Sequence, residues 1–103
     1  MSNAAFSVGE LVWHKLFDYR GVVIDVDPVF MGTEEWYEQM AKSWPQKDKP
    51  WYHVLVHNAV HQTYVAERNL DHDRSRDPIN HPAIETIFSE YNGQRYELRF
   101  RPN

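Results

Sequence analysis

The segment Trp51-Tyr52-His53-Val54-Leu55-Val56-His57 carries the strongest strand signal of this 103-residue sequence. Its side chains are mostly aromatic or β-branched, which suits a pleated strand that is at least half buried. Asn58-Ala59 is a weak turn, and residues 60–66 supply a return strand. We therefore expect residues 51–66 to form the central antiparallel hairpin of a mainly β protein.

Two more strands are predicted before this hairpin. Leu11-Val12-Trp13-His14-Lys15 is short and apolar, and residues 21–26 form a β-branched run that Asp27-Pro28 ends. The turn Asp18-Tyr19-Arg20-Gly21 separates these strands, so the simplest pairing is a second hairpin. After residue 66, Glu67-Arg68-Asn69-Leu70 is typical of the 3₁₀ turn that closes small barrels, with Leu70 plugging the core.

A helix of about three turns is predicted over residues 33–44, within an insertion that spans residues 31–49. Thr33 fits an N-cap, and Glu34-Glu35 suits the positive end of the helix dipole. Large side chains recur at every fourth position, namely Trp36, Met40 and Trp44. Pro45 then ends the helix.

The last third of the chain is more ambiguous. Residues 71–78 form a mixed-charge segment without apolar side chains, which we interpret as a loop. Four apolar residues then have helical spacing after Pro82, and Gly93 fits the C-terminal cap: Ile84, Ile87, Phe88 and Tyr91. The alternative is a hairpin with a type I′ turn at Asn92-Gly93. Tyr96, Leu98 and Phe100 alternate with charged residues and predict a terminal strand.

Together these elements predict a single domain over residues 6–103, a small antiparallel barrel with two short helical additions. The hydrophobic content of 42% and the aromatic content of 15% are enough for one core. Residues 1–5 are expected to be disordered or tag-derived, because Ser2-Asn3-Ala4 is typical of a remnant of a cloning vector.

The composition restricts the function classes. The sequence has no cysteine, which excludes disulfides, a thiolate nucleophile and Cys-ligated zinc. No stretch approaches the roughly 18 apolar residues of a membrane span, so we expect a soluble, cytoplasmic protein without a membrane partner. The net charge of −4 disfavours non-specific duplex binding, which depends on phosphate neutralisation, so any DNA contact needs a local basic patch.

Three motifs together resemble the YccV-like/HspQ family. The first is Phe6-x-Val8-Gly9-x-x-Val12-x-His14 followed by Tyr19-x-Gly21-Val22-Val23-x-Asp25-x-Asp27-Pro28. The second is Pro50-Trp51-Tyr52-His53-Val54, and the third is Thr63-Tyr64-Val65-Ala66-Glu67-x-x-Leu70. The resemblance spans residues 6 to about 91 and implies an SH3-like barrel in a bacterial protein.

The resemblance implies two functions. The first hypothesis is a heat-shock, stress-response adaptor that alters the substrate specificity of an ATP-dependent, Lon-type protease, with that protease or its substrates as partners. The alternative is a hemimethylated-DNA-binding module. A small metal-site or hydrolase protein is a remote third, because the sequence has no Gly-rich phosphate loop, HExxH string or nucleophile elbow. Asp71-His72-Asp73 fits a solvated turn. We expect no enzymatic activity.

Three sets of residues are candidates for binding. The candidate DNA contacts are the side chains on one face of the terminal strand, Arg95, Arg99 and Arg101. The alternative is that these arginines protect an edge strand against unwanted pairing. A weaker basic group consists of Lys42, Lys47 and Lys49. The candidate protein contacts are Trp36, Tyr37 and Trp44. Trp36 and Met40 are expected to pack on the barrel, with Tyr37 exposed. A candidate aromatic cleft, or else part of the core, comprises His14, Tyr19, Trp51, Tyr52, His53 and Tyr64.

The histidines do not predict a metal site. His53 and His57 share a strand face but lie about 13 Å apart, because a strand rises about 3.3 Å per residue. His61 approaches His57 across the turn, but two ligands make a weak site. We expect neither a metal nor a cofactor. Exposed strand edges favour self-association, in an order that the sequence does not define.

Overall fold

The computed structural model describes residues 3–41 and 43–100. These residues form seven strands, two α-helices and one 3₁₀ helix: β1 (Leu11–His14), β2 (Tyr19–Asp27), α1 (Glu34–Met40), β3 (Trp51–Val56), β4 (Gln62–Ala66), the 3₁₀ helix (Glu67–Asn69), β5 (Leu70–His72), α2 (Ile84–Ile87), β6 (Phe88–Tyr91) and β7 (Tyr96–Leu98). The predicted mainly β class with two short helices is confirmed. Within the described ranges, neither helix has the length and apolar character needed to cross a membrane.

Strands β1 to β5 form one antiparallel sheet in the order β4-β3-β2-β1-β5. The predicted hairpins β1–β2 and β3–β4 are confirmed, with register pairs such as His14↔Tyr19 and Trp51↔Ala66. The predicted 3₁₀ turn is also confirmed, and it joins the two edge strands β4 and β5. This arrangement is consistent with the predicted small SH3-like barrel.

The sheet has a core on both faces. One cluster lies on the inner face and comprises Phe6, Val12, Val23, Tyr52, Val54, Val65 and Leu70. On the outer face, a second cluster lies under the C-terminal hairpin and comprises Leu11, Val22, Leu55, Ile79, Phe88 and Tyr96. A third lies under α1 and comprises Tyr37, Ala41, Trp51 and Ala66. Gly21 is required where β2 pairs with β3, because a Cβ atom there would lie 2.5 Å from the Leu55 carbonyl oxygen.

The first helix is shorter than predicted. Thr33 is the N-cap, as expected, and its Oγ1 accepts a hydrogen bond from the Trp36 N–H at 3.1 Å. The helix ends at Met40 rather than at residue 44, so the prediction of three turns is wrong. The chain leaves helical dihedrals at the C-cap Ala41, with ψ of 70°. Pro45 accounts only for Trp44, since a proline disfavours helical dihedrals in the residue before it, and Trp44 adopts a left-handed φ of 51°.

The predicted C-terminal helix is also wrong. Helix α2 covers only Ile84–Ile87, and residues 88–98 form the β6–β7 hairpin. The alternative hairpin was closer, but its turn is not type I′, because only Gly93 of the Asn92-Gly93 pair has positive φ. Instead, the Asn92 side chain accepts hydrogen bonds from the Gln94 and Arg95 N–H groups. A register shift between Phe88 and Glu90 explains why the sequence does not alternate there.

The start of the predicted loop 71–78 also differs, since Asp71 and His72 belong to β5. This strand pairs with β1 through contacts such as Trp13↔Asp71. Both side chains are exposed, so β5 shows no hydrophobic alternation. Ala5 belongs to the segment 1–5 that we expected to be disordered or tag-derived, and its N–H donates a hydrogen bond to Glu67 Oε1 at 2.8 Å.

Candidate functional site

An open groove with aromatic walls lies between α1, the β1–β2 turn and β4. It has two adjoining lobes with volumes of about 340 Å³ and about 400 Å³. Both lobes are lined by His14, Phe17, Trp36, Met40, Tyr64 and Val65. Among the described residues, no Asp, Glu, Lys or Arg lines either lobe. We call this feature the aromatic groove; its size and lining are typical of a pre-formed ligand site.

The rim of the groove at the β1–β2 turn is organised by His14. This imidazole is buried, and its Nδ1 accepts hydrogen bonds from the N–H groups of Leu16 and Phe17 at 3.2 and 3.1 Å. A nitrogen that accepts both bonds carries no proton, and burial lowers the pKa of His14 below its ordinary value. The neutral ring therefore holds the turn so that Phe17 points outward, 67% exposed.

The opposite wall is a packed group of rings. The Tyr64 ring lies 5.1 Å from Trp51 and 5.6 Å from Trp36, measured between centroids. Phe30 packs behind them at 4.9 Å from Trp51. Contacts of this kind fix the ring orientations before any ligand arrives.

One end of the groove is acidic. Tyr64 Oη donates a hydrogen bond to Asp27 Oδ2 at 2.6 Å, and His53 Nε2 lies 3.3 Å from the same oxygen. Burial, and after it the hydrogen bond to Asp27, raises the pKa of Tyr64 well above its ordinary value. Asp25 lies beside this pair, and one ligand atom each from Asp25, Asp27 and His53 fall within 4.8 Å of one another. This group was not predicted from the sequence, where only sets of histidines were considered as metal ligands.

Five of the six residues of the predicted aromatic cleft line the groove: His14, Tyr19, Trp51, His53 and Tyr64. Tyr52 does not line it. Because side chains alternate along a strand, Tyr52 points to the inner face, where it is fully buried and its hydroxyl donates to Glu67 Oε1 at 2.5 Å. Leu16 and Phe17 also line the groove and were not predicted, although two consecutive large apolar residues in a turn were an available signal.

The predictions for α1 are partly wrong. Trp36 does line the groove, but Tyr37 is only 7% exposed, and its hydroxyl donates to the Pro45 carbonyl at 2.6 Å. Met40 was expected to pack on the barrel and is 61% exposed. Trp44 is also exposed, against the edge of the Tyr37 ring. The helix turns Tyr37 and Ala41 toward the sheet, so Tyr37 is no candidate for an exposed contact.

The candidate DNA contacts are engaged in internal bonds. Arg95 Nη2 donates to Ser7 Oγ at 2.8 Å and to the Val8 carbonyl at 2.7 Å. Arg99 donates to the carbonyls of Glu85 and Phe88 at 3.0 and 3.1 Å. Arg101 lies outside the described residues. The two described arginines therefore tie the C-terminal hairpin to its surroundings.

In the weaker basic group, Lys47 Nζ contacts Glu34 Oε1 at 2.6 Å and lies 4.3 Å from the Tyr37 ring centroid. Lys49 also has an interaction partner, and Lys42 lies outside the described residues. These contacts give Lys47 a role in holding α1 to the segment that follows it.

The remaining polar candidates have ordinary partners. His57 Nδ1 accepts from the Asn80 N–H at 2.8 Å, and the His61 carbonyl lies 3.0 Å from His81 Nε2. Burial alone would raise the pKa of Asp73, but hydrogen bonds from Arg20 and Ser75 outweigh it, and the pKa lies below its ordinary value. Asp73 is therefore half of an ion pair rather than a proton-transfer group.

The fold and the aromatic groove define a small β-rich domain with a candidate ligand-binding site. The sequence matches the family described as hemimethylated DNA-binding protein YccV like over residues 4–95. The chain belongs to this family, as its three motifs predicted.

Proposed function

We propose that this protein is a non-enzymatic stress-response adaptor. It binds an extended apolar segment of a client protein in the aromatic groove and so alters which proteins an ATP-dependent, Lon-type protease degrades. The observation that carries the proposal is the set of exposed apolar side chains around an uncharged groove: Leu16, Phe17 and Met40.

The physical basis is the burial of these side chains. Contiguous exposed apolar surface with a polar surround is characteristic of an interaction site. Complete burial of one such side chain contributes roughly 1.5–3 kcal/mol, which corresponds to about tenfold or more in Kd. The uncharged lining also favours an apolar polypeptide over a phosphate backbone, which requires Lys or Arg.

The test is the rate at which a Lon-type protease degrades a defined substrate with and without this protein. We expect the wild-type protein to accelerate degradation and the variant Phe17→Ser to lose most of that effect. The matched control is Val60→Ser, because Val60 is 82% exposed and lines neither lobe. An absence of acceleration across several substrates, or an equal loss with both variants, contradicts the proposal.

The second candidate is recognition of hemimethylated DNA, which the family description favours. A methyl group in the major groove offers an apolar contact that aromatic side chains can read. The phosphate contacts would come from exposed cations such as Lys15, next to the groove rim, since Arg95 and Arg99 already have partners.

Fluorescence anisotropy distinguishes this candidate. Labelled hemimethylated, fully methylated and unmethylated duplexes of one sequence are titrated at low and physiological salt. Tighter binding of the hemimethylated duplex that persists at physiological salt, and that weakens in Lys15→Gln, supports DNA recognition. Weak binding that does not depend on methylation and that is lost at physiological salt favours the adaptor function over DNA recognition.

A further inference from the structure

The charges around the aromatic groove are unevenly distributed. The lining itself is uncharged, whereas Asp25 and Asp27 lie together at the end formed by His53 and Tyr64. Asp25 is the cross-strand partner of His53, so the pairing of β2 with β3 places its carboxylate at this end. Asp25 is also exposed. A bound segment therefore meets negative charge at one end of the groove.

Within the described part of the chain, no lysine or arginine neutralises this negative charge. Among the described residues, Asp27 contacts the Tyr64 hydroxyl at 2.6 Å and His53 Nε2 at 3.3 Å. Asp25 Oδ1 accepts the N–H of its neighbour Val26 at 2.9 Å. No described Lys or Arg lies within ion-pair distance of either carboxylate. A cation supplied by a ligand would therefore meet no described Lys or Arg as a competitor at these carboxylates, and at Asp27 it would share Oδ2 with the Tyr64 hydroxyl and the His53 ring.

Aromatic faces adjoin the same position. The His53 and Tyr64 rings lie 4.6 Å apart between centroids, and both line the larger lobe together with Tyr19. A guanidinium or ammonium group gains from contact with the face of a ring and from charge-assisted hydrogen bonds to carboxylates. Both kinds of group are present here, next to a surface that suits apolar side chains.

We propose that the aromatic groove selects protein segments in which a Lys or Arg lies beside large apolar residues. The cation occupies the end at Asp25 and Asp27, and the apolar side chains contact Phe17, Trp36 and Met40. This inference rests on the proposed binding of a client segment and adds the chemistry of the segment that is chosen.

Three labelled peptides test the proposal. They share one pattern of Leu and Phe and differ at a single central position, which is Arg, Gln or Glu. Anisotropy is measured with the full chain at physiological salt and in EDTA, so that no metal ion neutralises the acidic end. We expect the Arg peptide to bind about three- to tenfold more tightly than the Gln peptide, and the Glu peptide to bind most weakly.

The variant Asp25→Asn isolates the charge. Asparagine retains an oxygen that can accept the Val26 N–H, so we expect the Gln peptide to bind as before while most of the preference for Arg disappears. The matched control is Glu38→Gln, which removes one negative charge from an exposed position of α1 that lines neither lobe. It should leave both affinities unchanged.

The outcomes separate the two proposals. Equal binding of the Arg and Gln peptides overturns the charge selection and leaves the client-binding function intact. Failure of all three peptides to bind overturns the proposed function itself. If Asp25→Asn weakens the Arg and Gln peptides equally, its effect is structural and the selection is overturned. Thermal melting of each variant confirms that it is folded.

Discussion

The outer face of β3 is covered in two different ways. At Leu55 it is closed by the C-terminal hairpin, where Phe88 and Tyr96 are buried. At Trp51 it is covered by α1, and between the two covers His53 is only partly buried and faces the aromatic groove. The region under the C-terminal hairpin completes the core, whereas the region between the two covers is left open, and it is in the open region that we propose binding takes place.

Removal of the hairpin's main anchor should have the largest effect. Phe88→Ala deletes a buried ring of β6 that packs in the cluster under the C-terminal hairpin, and it should cost about 3–5 kcal/mol of unfolding free energy. Denaturant unfolding measures this loss. Phe17→Ala, at the groove rim, should change stability by no more than about 0.5 kcal/mol because Phe17 is exposed. Equal losses of unfolding free energy in Phe88→Ala and Phe17→Ala would contradict the assignment of one region to the core and the other to the surface.

An intermediate effect is expected at the bonds that hold the hairpin in place. Arg95→Gln removes the donor to Ser7 and Val8 and should cost about 1–2 kcal/mol, since hydrogen bonds from charged groups are the stronger ones. Arg74→Gln is the control, an exposed arginine in the segment before α2. If Arg95→Gln leaves stability unchanged but weakens DNA binding, Arg95 is a ligand contact and the structural assignment is wrong.

The smallest effect is a pH dependence at the groove rim. Burial lowers the pKa of His14, so the folded protein holds this proton less tightly than the unfolded chain. The contribution of neutral His14 to the free energy of unfolding is therefore complete above the pKa of the unfolded chain, about 6.5. It is lost as the pH falls through the lower pKa of the folded protein. Protonation also breaks the bonds to Leu16 and Phe17 and should loosen the turn.

Melting temperatures between pH 5 and pH 7.5 check this prediction. His14→Asn keeps an oxygen near the position of Nδ1 but does not titrate, so its profile should be flatter than the wild-type profile. Asp73 does not interfere, because its pKa is lowered and its contribution is lost only below about pH 3.8. Parallel profiles for the wild type and His14→Asn would contradict the assignment to His14.

The sequence predicted the elements that depend on local signals. The hairpins β1–β2 and β3–β4 have contiguous apolar strings with turns between them, and the 3₁₀ turn at Glu67–Asn69 follows directly from its motif. The β6–β7 hairpin depends on distant contacts, such as Tyr96 Oη accepting the Ile79 N–H at 2.8 Å. Its register shift also hides the alternation, so helical spacing at Phe88 and Tyr91 was misleading.

The sequence predicted that an aromatic cleft exists, but it did not determine which aromatic residues line the cleft and which lie in the core. Trp51 and Tyr52 are adjacent aromatic residues of one strand, and only the sheet decides which of them faces the groove and which the core. Likewise, the exposure of Tyr37 and Met40 depends on where α1 ends and on how it lies against the sheet. The acidic end could not be foreseen, because Asp25, Asp27 and His53 meet only through the pairing of β2 with β3.

The most direct measurement uses the four tryptophans as reporters. Indole N–H signals of ¹⁵N-labelled protein are followed by NMR during titration with the Leu- and Phe-rich peptide that carries Gln. Binding in the aromatic groove should shift the signals of Trp36 and Trp51, which line it, and leave that of Trp13, whose indole donates to Asp18, nearly unchanged. Shifts confined to Trp13 or to the backbone of β6 and β7, or no shifts at saturating peptide, would contradict the groove as the binding site.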